Sequence, residues 1–227
     1  GYSIPIAWGL SLQGAVSLGD YIYTSNPEFT QMIDNSATDV VHSRVNWKGM
    51  KVESTPQTAI NVGLNFRGPN NWFASVDFNY YDRLYLSMNP MYRTEYLANE
   101  IKRIYDWNNL ETGRQKAYVV GIIDEIRQQE DLGNAYTLSA SIGKNFRIKY
   151  KYTLGFSLQV NNILNNQRIR TGGYEQMRLN KLSDPIIFPN ADGEMVITKK
   201  PTTYSRFDSK YFYMNGINYY LNIYFRF

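Results

Sequence analysis

The sequence predicts an all-β fold, an antiparallel transmembrane β-barrel to which this chain supplies about six strands joined by long extracellular loops. Three observations predict it. Six segments alternate an apolar with a small or polar residue, the period of a strand whose two faces meet different surroundings. Their connections are sorted by length, short at one end of the sheet and long at the other. Aromatic residues abound, with 20 Tyr, 11 Phe and 4 Trp among 227 residues. Tyr and Trp favour the level of lipid headgroups, where an apolar ring and a polar tip meet different media.

The first strand is expected over about residues 6–23, with Ile6, Trp8, Leu10, Leu12, Val16 and Leu18 on one face and Ala7, Ser11, Gln13 and Ser17 on the other. The second covers about 57–67, with Ile60, Val62, Leu64 and Phe66 against Asn61, Gly63, Asn65 and Arg67. A Pro/Asn turn, RGPNN, leads to the third at about 71–86, where Trp72, Ala74, Val76, Phe78 and Tyr80 alternate with Phe73, Ser75, Asp77, Asn79 and Tyr81. The fourth and fifth, about 134–147 and 150–164, are joined through RIKYK and carry Leu138, Ala140 and Ile142, then Leu154, Phe156, Leu158 and Val160, on their apolar faces.

The sixth, about 210–227, ends the chain on YFYMNGINYYLNIYFRF. Its odd positions are almost wholly apolar or aromatic, while Asn, Gly, Arg and Tyr share the even ones. A tilted membrane strand needs about nine to eleven residues. Tyr211 and Tyr213 are expected in an outer aromatic girdle, and Phe225 and Phe227 in an inner one. The polar faces lack the Leu, Ile and Val on which a second sheet would pack. Gln13, Asn61, Asn65, Arg67, Asp77, Asn79, Arg83, Gln159, Asn161, Asn218, Asn222 and Arg226 are expected to line the lumen.

The long connections, about 24–56, 87–133 and 165–209, carry their own signals. In YRTEYLANEIKRIYDWNN, Tyr96, Ile101, Ile104 and Tyr105 recur at helical spacing. In AYVVGIIDEIRQQ, Val119, Ile122, Ile123 and Ile126 mark an amphipathic helix. FPNADGEMVITKK reads as a hairpin on Ala-Asp-Gly, with 186–188 against 195–198.

Composition removes several function classes. A formal charge of +4 is too mild to argue for nucleic acid, and the absence of Cys excludes disulfides and thiol chemistry. No apolar run approaches the eighteen residues of a transmembrane helix, and mean hydropathy is −0.45. Barrel strands hide from such averages because half their residues are polar, so a Tyr-rich water-soluble β-protein stays open on composition alone. No P-loop, dinucleotide fingerprint or metal-ligand spacing is present, and neither a cofactor nor an enzymatic activity is expected. His42 is the one histidine. With Asp39 and Ser43 near it only in sequence, it is a weak basis for a triad. The opening GYSIPIAW has no signal-peptide character, so a removed signal or a missing start is expected. Six strands cannot close a barrel, and an open edge in hydrocarbon costs several kcal/mol per unpaired group. The rest of a barrel, from the same protein or other chains, is therefore expected.

SASIGKNFRIKYKYTLGFSLQVNNILNNQRIRTGGYEQMR, with KYFYMNGINYYLNIYFRF at the end and TPQTAINVGLNFRGPNNWFASVDFNYYDRLYLSMNPMYRT before it, resembles the C-terminal end of TonB-dependent receptors. The likeness is greatest to the Bacteroidetes branch that includes SusC-type receptors, and it runs over most of 56–227. The segment Val160–Asn166 and the terminal Phe227 are its most specific parts.

The resemblance implies that these are the last six strands of a barrel of about 22. A plug domain and a TonB box lie elsewhere in the protein. It also implies outer-membrane lipid, the TonB complex and a SusD-type surface lipoprotein as partners, import of a scarce nutrient as function, and Phe227 as an insertion signal. A non-transporting barrel, an adhesin or a structural protein displaying its loops, is the alternative. In the loops, Tyr92, Arg93, Tyr105, Trp107, Tyr174 and Arg178 are candidates for ligand or partner contact. The competing reading has these loops packing on themselves, with Glu175 paired to Arg178.

Overall fold

Two successive left-handed residues, Trp8 (φ 49°) and Gly9 (φ 82°), turn the chain back on itself near its start. This is the backbone that two-residue hairpins require. The turn joins β1 (Tyr2–Ala7) to β2 (Leu10–Leu18). A Cβ on Gly9 would lie 2.0 Å from the carbonyl oxygen of Arg67, so the position takes only glycine. The expected single strand over 6–23 is therefore two strands. The apolar alternation runs straight through the two-residue turn and conceals it.

The computed structural model describes residues 1–33, 36–149, 151–177, 179–182, 186–189, 192–199 and 203–227. After β2 the chain makes a hairpin, β3 (Glu28–Ile33) and β4 (Ser36–Arg44), then enters β5 (Thr58–Arg67) and β6 (Trp72–Asp82). Two helices follow, α1 (Glu95–Ile104) and α2 (Gly113–Arg127), before β7 (Ala135–Ile148) and β8 (Tyr152–Asn161). The next stretch holds β9 (Arg170–Tyr174), β10 (Leu179–Leu182), β11 (Ile186–Pro189), β12 (Met195–Lys199) and β13 (Thr203–Arg206). The last two strands are β14 (Lys210–Tyr213) and β15 (Asn218–Arg226). The expected hairpin over 186–198 is β11 paired with β12.

Seven strands form one antiparallel sheet in the order β1-β2-β5-β6-β7-β8-β15. It is open, with β1 and β15 at its edges. All three short turns (after β1, β5 and β7) lie at one end, and the long connections lie at the other. The expected strands at 57–67, 71–86, 134–147 and 150–164 appear as β5, β6, β7 and β8 with slightly different bounds.

The expected last strand over 210–227 is broken. Its first part, β14, leaves the sheet and pairs with β9. The segment VNNILNN causes the break. Asn162 and Asn165 both adopt positive φ, near 50°, which Asn tolerates better than most residues. The Asn162 amide then donates to the Asn215 carbonyl at 2.9 Å, and Asn165 Oδ1 accepts from the Ile217 backbone at 3.0 Å. Tyr211 and Tyr213 consequently belong to the long-loop ribbon rather than to a girdle on the sheet.

Register carries the alternation across the whole sheet. One transverse row on the apolar face reads Ile4, Leu12, Leu64, Val76, Ala140, Val160, Tyr219. The next reads Leu10, Phe66, Ala74, Ile142, Leu158, Leu221. Aromatic side chains bound this aliphatic band at both ends. Phe78, Tyr80, Tyr136 and Tyr219 stand toward the long loops. Trp72, Phe146, Phe156, Tyr152 and Phe225 stand toward the short turns, in ring contacts of 5.8–6.1 Å.

The opposite face is polar and largely self-satisfied. Asn61 donates to Asn79 at 2.9 Å, Ser75 meets Ser141 at 2.9 Å, and Asn161 donates to Asn218 at 3.0 Å. Arg83 does not line this face as expected. Its guanidinium binds Thr58 Oγ1 at 2.9 Å and the Gly19 and Gln57 carbonyls, each at 3.2 Å, which ties the loop-end rim of three strands together.

Among the described residues, no element covers the apolar face. Val16, Leu18, Leu64, Val76, Ile142, Leu221 and Ile223 are all exposed. The buried hydrophobic residues, among those described, lie instead between Val45 and Ile169, outside the seven strands. A test follows from this asymmetry. Leu158→Arg on the apolar face should destabilise the protein in a bilayer by about 2–4 kcal/mol, and Gln159→Arg on the polar face by far less. Equal shifts in a folding titration from denaturant into lipid would undo the assignment of faces.

Candidate functional site

The long connections pack into a platform at one end of the sheet, and helix caps set its shape. Thr94 Oγ1 accepts from the Leu97 backbone at 3.1 Å and starts α1. Thr112 and Gln115 form a reciprocal capping box at the start of α2, with Thr112 Oγ1 accepting at 3.3 Å and Gln115 Oε1 at 3.2 Å. Val119, Ile123 and Ile126 of α2 then face Leu97, Ala98 and Ile101 of α1, and Tyr92 and Tyr105 complete a buried cluster. The expected α2 stripe is present. On α1, Ile101 and Tyr105 are buried and Ile104 is partly buried as expected, while Leu97 takes the place expected for Tyr96, which is exposed.

A buried charge cluster joins this helical pair to the next loop. The Glu175 carboxylate accepts from four donors. Arg93 Nη2 donates to Oε1 at 2.7 Å and Arg206 Nη2 to the same oxygen at 2.8 Å. Oε2 accepts from the Asn89 backbone at 2.7 Å and from Arg93 Nη1. Arg93 also donates to the Gln128 carbonyl at 3.0 Å, and Arg206 to the same carbonyl at 3.0 Å. The side chains of Arg93 and Glu175 are almost wholly buried, while that of Arg206 keeps 21% of its surface. A carboxylate so enclosed needs this many donors to offset its lost hydration. The expected Glu175–Arg178 pair is thus replaced on the Glu175 side by Arg93 and Arg206, and Arg178 lies outside the described residues.

Beside this cluster Glu130 gathers a second one. Ser209 Oγ donates to it at 2.8 Å, the Tyr211 hydroxyl donates to its other oxygen, and Arg170 lies 3.5 Å away. Between the two clusters opens a polar cleft of about 690 Å³, lined by residues that include Gln129, Glu130, Asp131, Arg206, Asp208 and Tyr211. It offers carboxylate, guanidinium, amide and phenol groups within one opening, a set suited to a ligand rich in hydroxyl, amide or carboxylate groups. Nothing local in the sequence marks this cleft. Its walls come from segments about 80 positions apart, so Glu130 and Asp131 read as an ordinary solvated pair.

The candidate contact residues separate into two groups. Tyr92, Arg93 and Tyr105 are buried in the platform and hold it together. The Tyr92 hydroxyl donates to the Gln176 carbonyl at 2.8 Å, under the Arg206 guanidinium. Direct ligand contact from these three therefore gives way to an architectural part. Trp107 is half-buried, with the Lys102 and Lys116 ammonium groups 5.2 and 5.8 Å from its ring. Tyr174 is 46% exposed and leans on Phe212. Phe227 is 91% exposed beyond β15.

His42 contacts Thr30 at 3.0 Å on an exposed ribbon, and Ser43 Oγ accepts from the Tyr96 backbone at 2.9 Å. The Asp39 side chain is outside what is described. Among the described residues no group of three His, Cys, Asp or Glu is placed to hold a metal ion. The chain matches no family model, no curated protein and no solved structure.

Two measurements test the platform. Glu175→Gln leaves Arg93 buried beside a neutral amide and should cost about 3–5 kcal/mol. It should speed amide exchange in α1, α2 and β9 while leaving β5–β8 protected, and uniform acceleration through the sheet would contradict a platform held separately. The second test is pH. Burial, then the neighbouring Tyr118, pushes Tyr105 up to about 12. Burial and the hydrogen bond to Glu53 push Tyr23 up to about 12. A hydroxyl whose folded pKa is raised contributes stability below its unfolded value near 10, and that contribution is lost as pH rises toward 12. Ultraviolet titration should show these two tyrosines ionising last, with platform stability falling across this interval.

Proposed function

We propose that this chain forms part of the wall of an outer-membrane β-barrel, and that the barrel imports a scarce nutrient with energy drawn through the TonB complex. One observation carries the first half: a continuous apolar face across seven paired strands, exposed, aliphatic in the middle and aromatic at both ends. Water would oppose such a face, and bilayer hydrocarbon would welcome it. β5, β6 and β8 have 10, 11 and 10 residues, the reach of a tilted membrane strand. The open edges at β1 and β15 would pair with further strands, closing the barrel. Among the described residues no helix is long and apolar enough to cross a membrane.

The second half rests on the likeness of VNNILNN and the strands around it to TonB-dependent receptors. The polar cleft above the sheet would face the cell exterior and take a glycan, peptide or metal chelate. A plug and TonB box elsewhere in the protein, and a SusD-type lipoprotein over the loops, belong to the same proposal. A non-transporting barrel that displays the platform as an adhesin is the competing outcome.

The experiment has two arms. Membranes should release the protein only into detergent, migrating faster unheated than heated in denaturing gels, and its denatured mass should be several times the 26.4 kDa of this chain. Release into detergent-free buffer would remove the barrel. In the second arm, a strain lacking the protein should fail to deplete a nutrient from a defined mixture followed by mass spectrometry. A protonophore should stop that depletion in the parent strain. A detergent-extracted barrel with unchanged depletion would favour the adhesin.

A further inference from the structure

We propose that the short-turn rim of the sheet binds the phosphate of anionic phospholipid headgroups through Lys144 and Lys151. The inference rests on the reading of the apolar face as lipid-facing, and it adds which lipid is held, at which end, and by which residues.

The charge distribution is uneven in a way that alternation does not require. The seven strands of the sheet and its three short turns contain six Lys or Arg and two acidic residues, Asp77 and Asp82 of β6, at the middle and the loop end of that strand. All six (Arg67, Lys144, Arg147, Lys149, Lys151 and Arg226) lie toward the short turns. None of them forms an ion pair among the described residues. Acidic residues are concentrated in the long connections instead, where Glu130 and Glu175 are paired.

Position separates the six. Arg67, Arg147 and Arg226 have the parity of the polar face, and Lys149 stands in the turn. Lys144 has the parity of the apolar face, paired across strands with Trp72 and Phe156. Its ammonium lies 4.7 Å from the Trp72 ring and 4.9 Å from the Phe146 ring. The Lys151 ammonium lies 5.4 Å from the Tyr152 ring on the same face. A lysine within an apolar strip would be costly at mid-membrane. At the aromatic rim its stem lies along the rings while the ammonium reaches the headgroup layer. Trp8, 95% exposed at the β1–β2 turn, belongs to the same end. Each ammonium, supported by aromatic rings and without a carboxylate partner among the described residues, fits a phosphodiester at the acyl boundary. A zwitterionic headgroup carries its own cation and fits less well.

The test uses the whole protein, purified in detergent and reconstituted into phosphatidylcholine vesicles. A tenth of the lipid is replaced by brominated phosphatidylglycerol or by brominated phosphatidylcholine, and quenching of tryptophan fluorescence is compared. Trp8 and Trp72 report on this rim. Brominated phosphatidylglycerol should quench more strongly at equal mole fraction. Lys144→Gln/Lys151→Gln should lower that preference by about fivefold per cation removed. Arg147→Gln/Arg226→Gln removes the same charge from the polar face and should leave the preference unchanged.

Equal quenching by the two lipids, or equal loss in both double variants, overturns the inference while the barrel stands. Failure to enter either vesicle overturns the barrel and the inference together. Added inorganic phosphate should not compete, and competition at millimolar concentration would transfer the site to a soluble anion.

Discussion

Side-chain parity held in register over seven strands is the constraint on which this molecule depends. Because a strand's period is two, a slip of one residue would carry an entire apolar set to the other face. The pairing keeps Leu12, Leu64, Val76, Ala140 and Val160 in one line, and Gln13, Gly63, Asp77 and Ser139 in another. Among the described residues, neither face is covered by a second protein layer. The register is therefore enforced by the contrast between two surroundings rather than by a core, and by polar cross-strand pairs such as Asn61 with Asn79.

The loop end is organised by the opposite means. There the chain builds a conventional interior from α1, α2 and the segments around them, and places an ionised pair inside it. A buried pair of this kind adds little net stability compared with apolar residues of the same shape, but it tolerates few alternative arrangements. Glu175 accepts four donors from two separate segments, so the relative position of two long loops is fixed at one carboxylate. The polar cleft beside it inherits that rigidity.

The sheet was largely legible in the sequence because alternation is local. Strands β5 to β8 follow directly from residues read two at a time, and the helical pair follows from Val119, Ile123 and Ile126. Two features escaped for physical reasons. The Trp8–Gly9 turn preserves parity, so a hairpin looks like one long strand. The break before β15 depends on Asn162 and Asn165 reaching across to residues about fifty positions away. The charge cluster escaped for the same reason on a larger scale. Arg93 invites a ligand when read alone, and only the fold reveals that its partner is Glu175. Of the candidate set, Trp107 and Tyr174 keep exposed surface while packing on their neighbours, Trp107 against the helical cluster and Tyr174 on Phe212.

The 82 positions between Arg93 and Glu175 have a consequence for the order of assembly. α1 and α2 are close in sequence and can form early, but the carboxylate that locks them lies beyond β7 and β8 in the chain. Closing so long a loop is slow compared with hairpin formation. If the strands cross a bilayer, the loops cross it as unfolded chain, and the platform cannot be complete on the side from which it came. Its closure then marks the end of insertion, and a chain stalled halfway would display an unpaired arginine and a loose helical pair on the far side of the membrane.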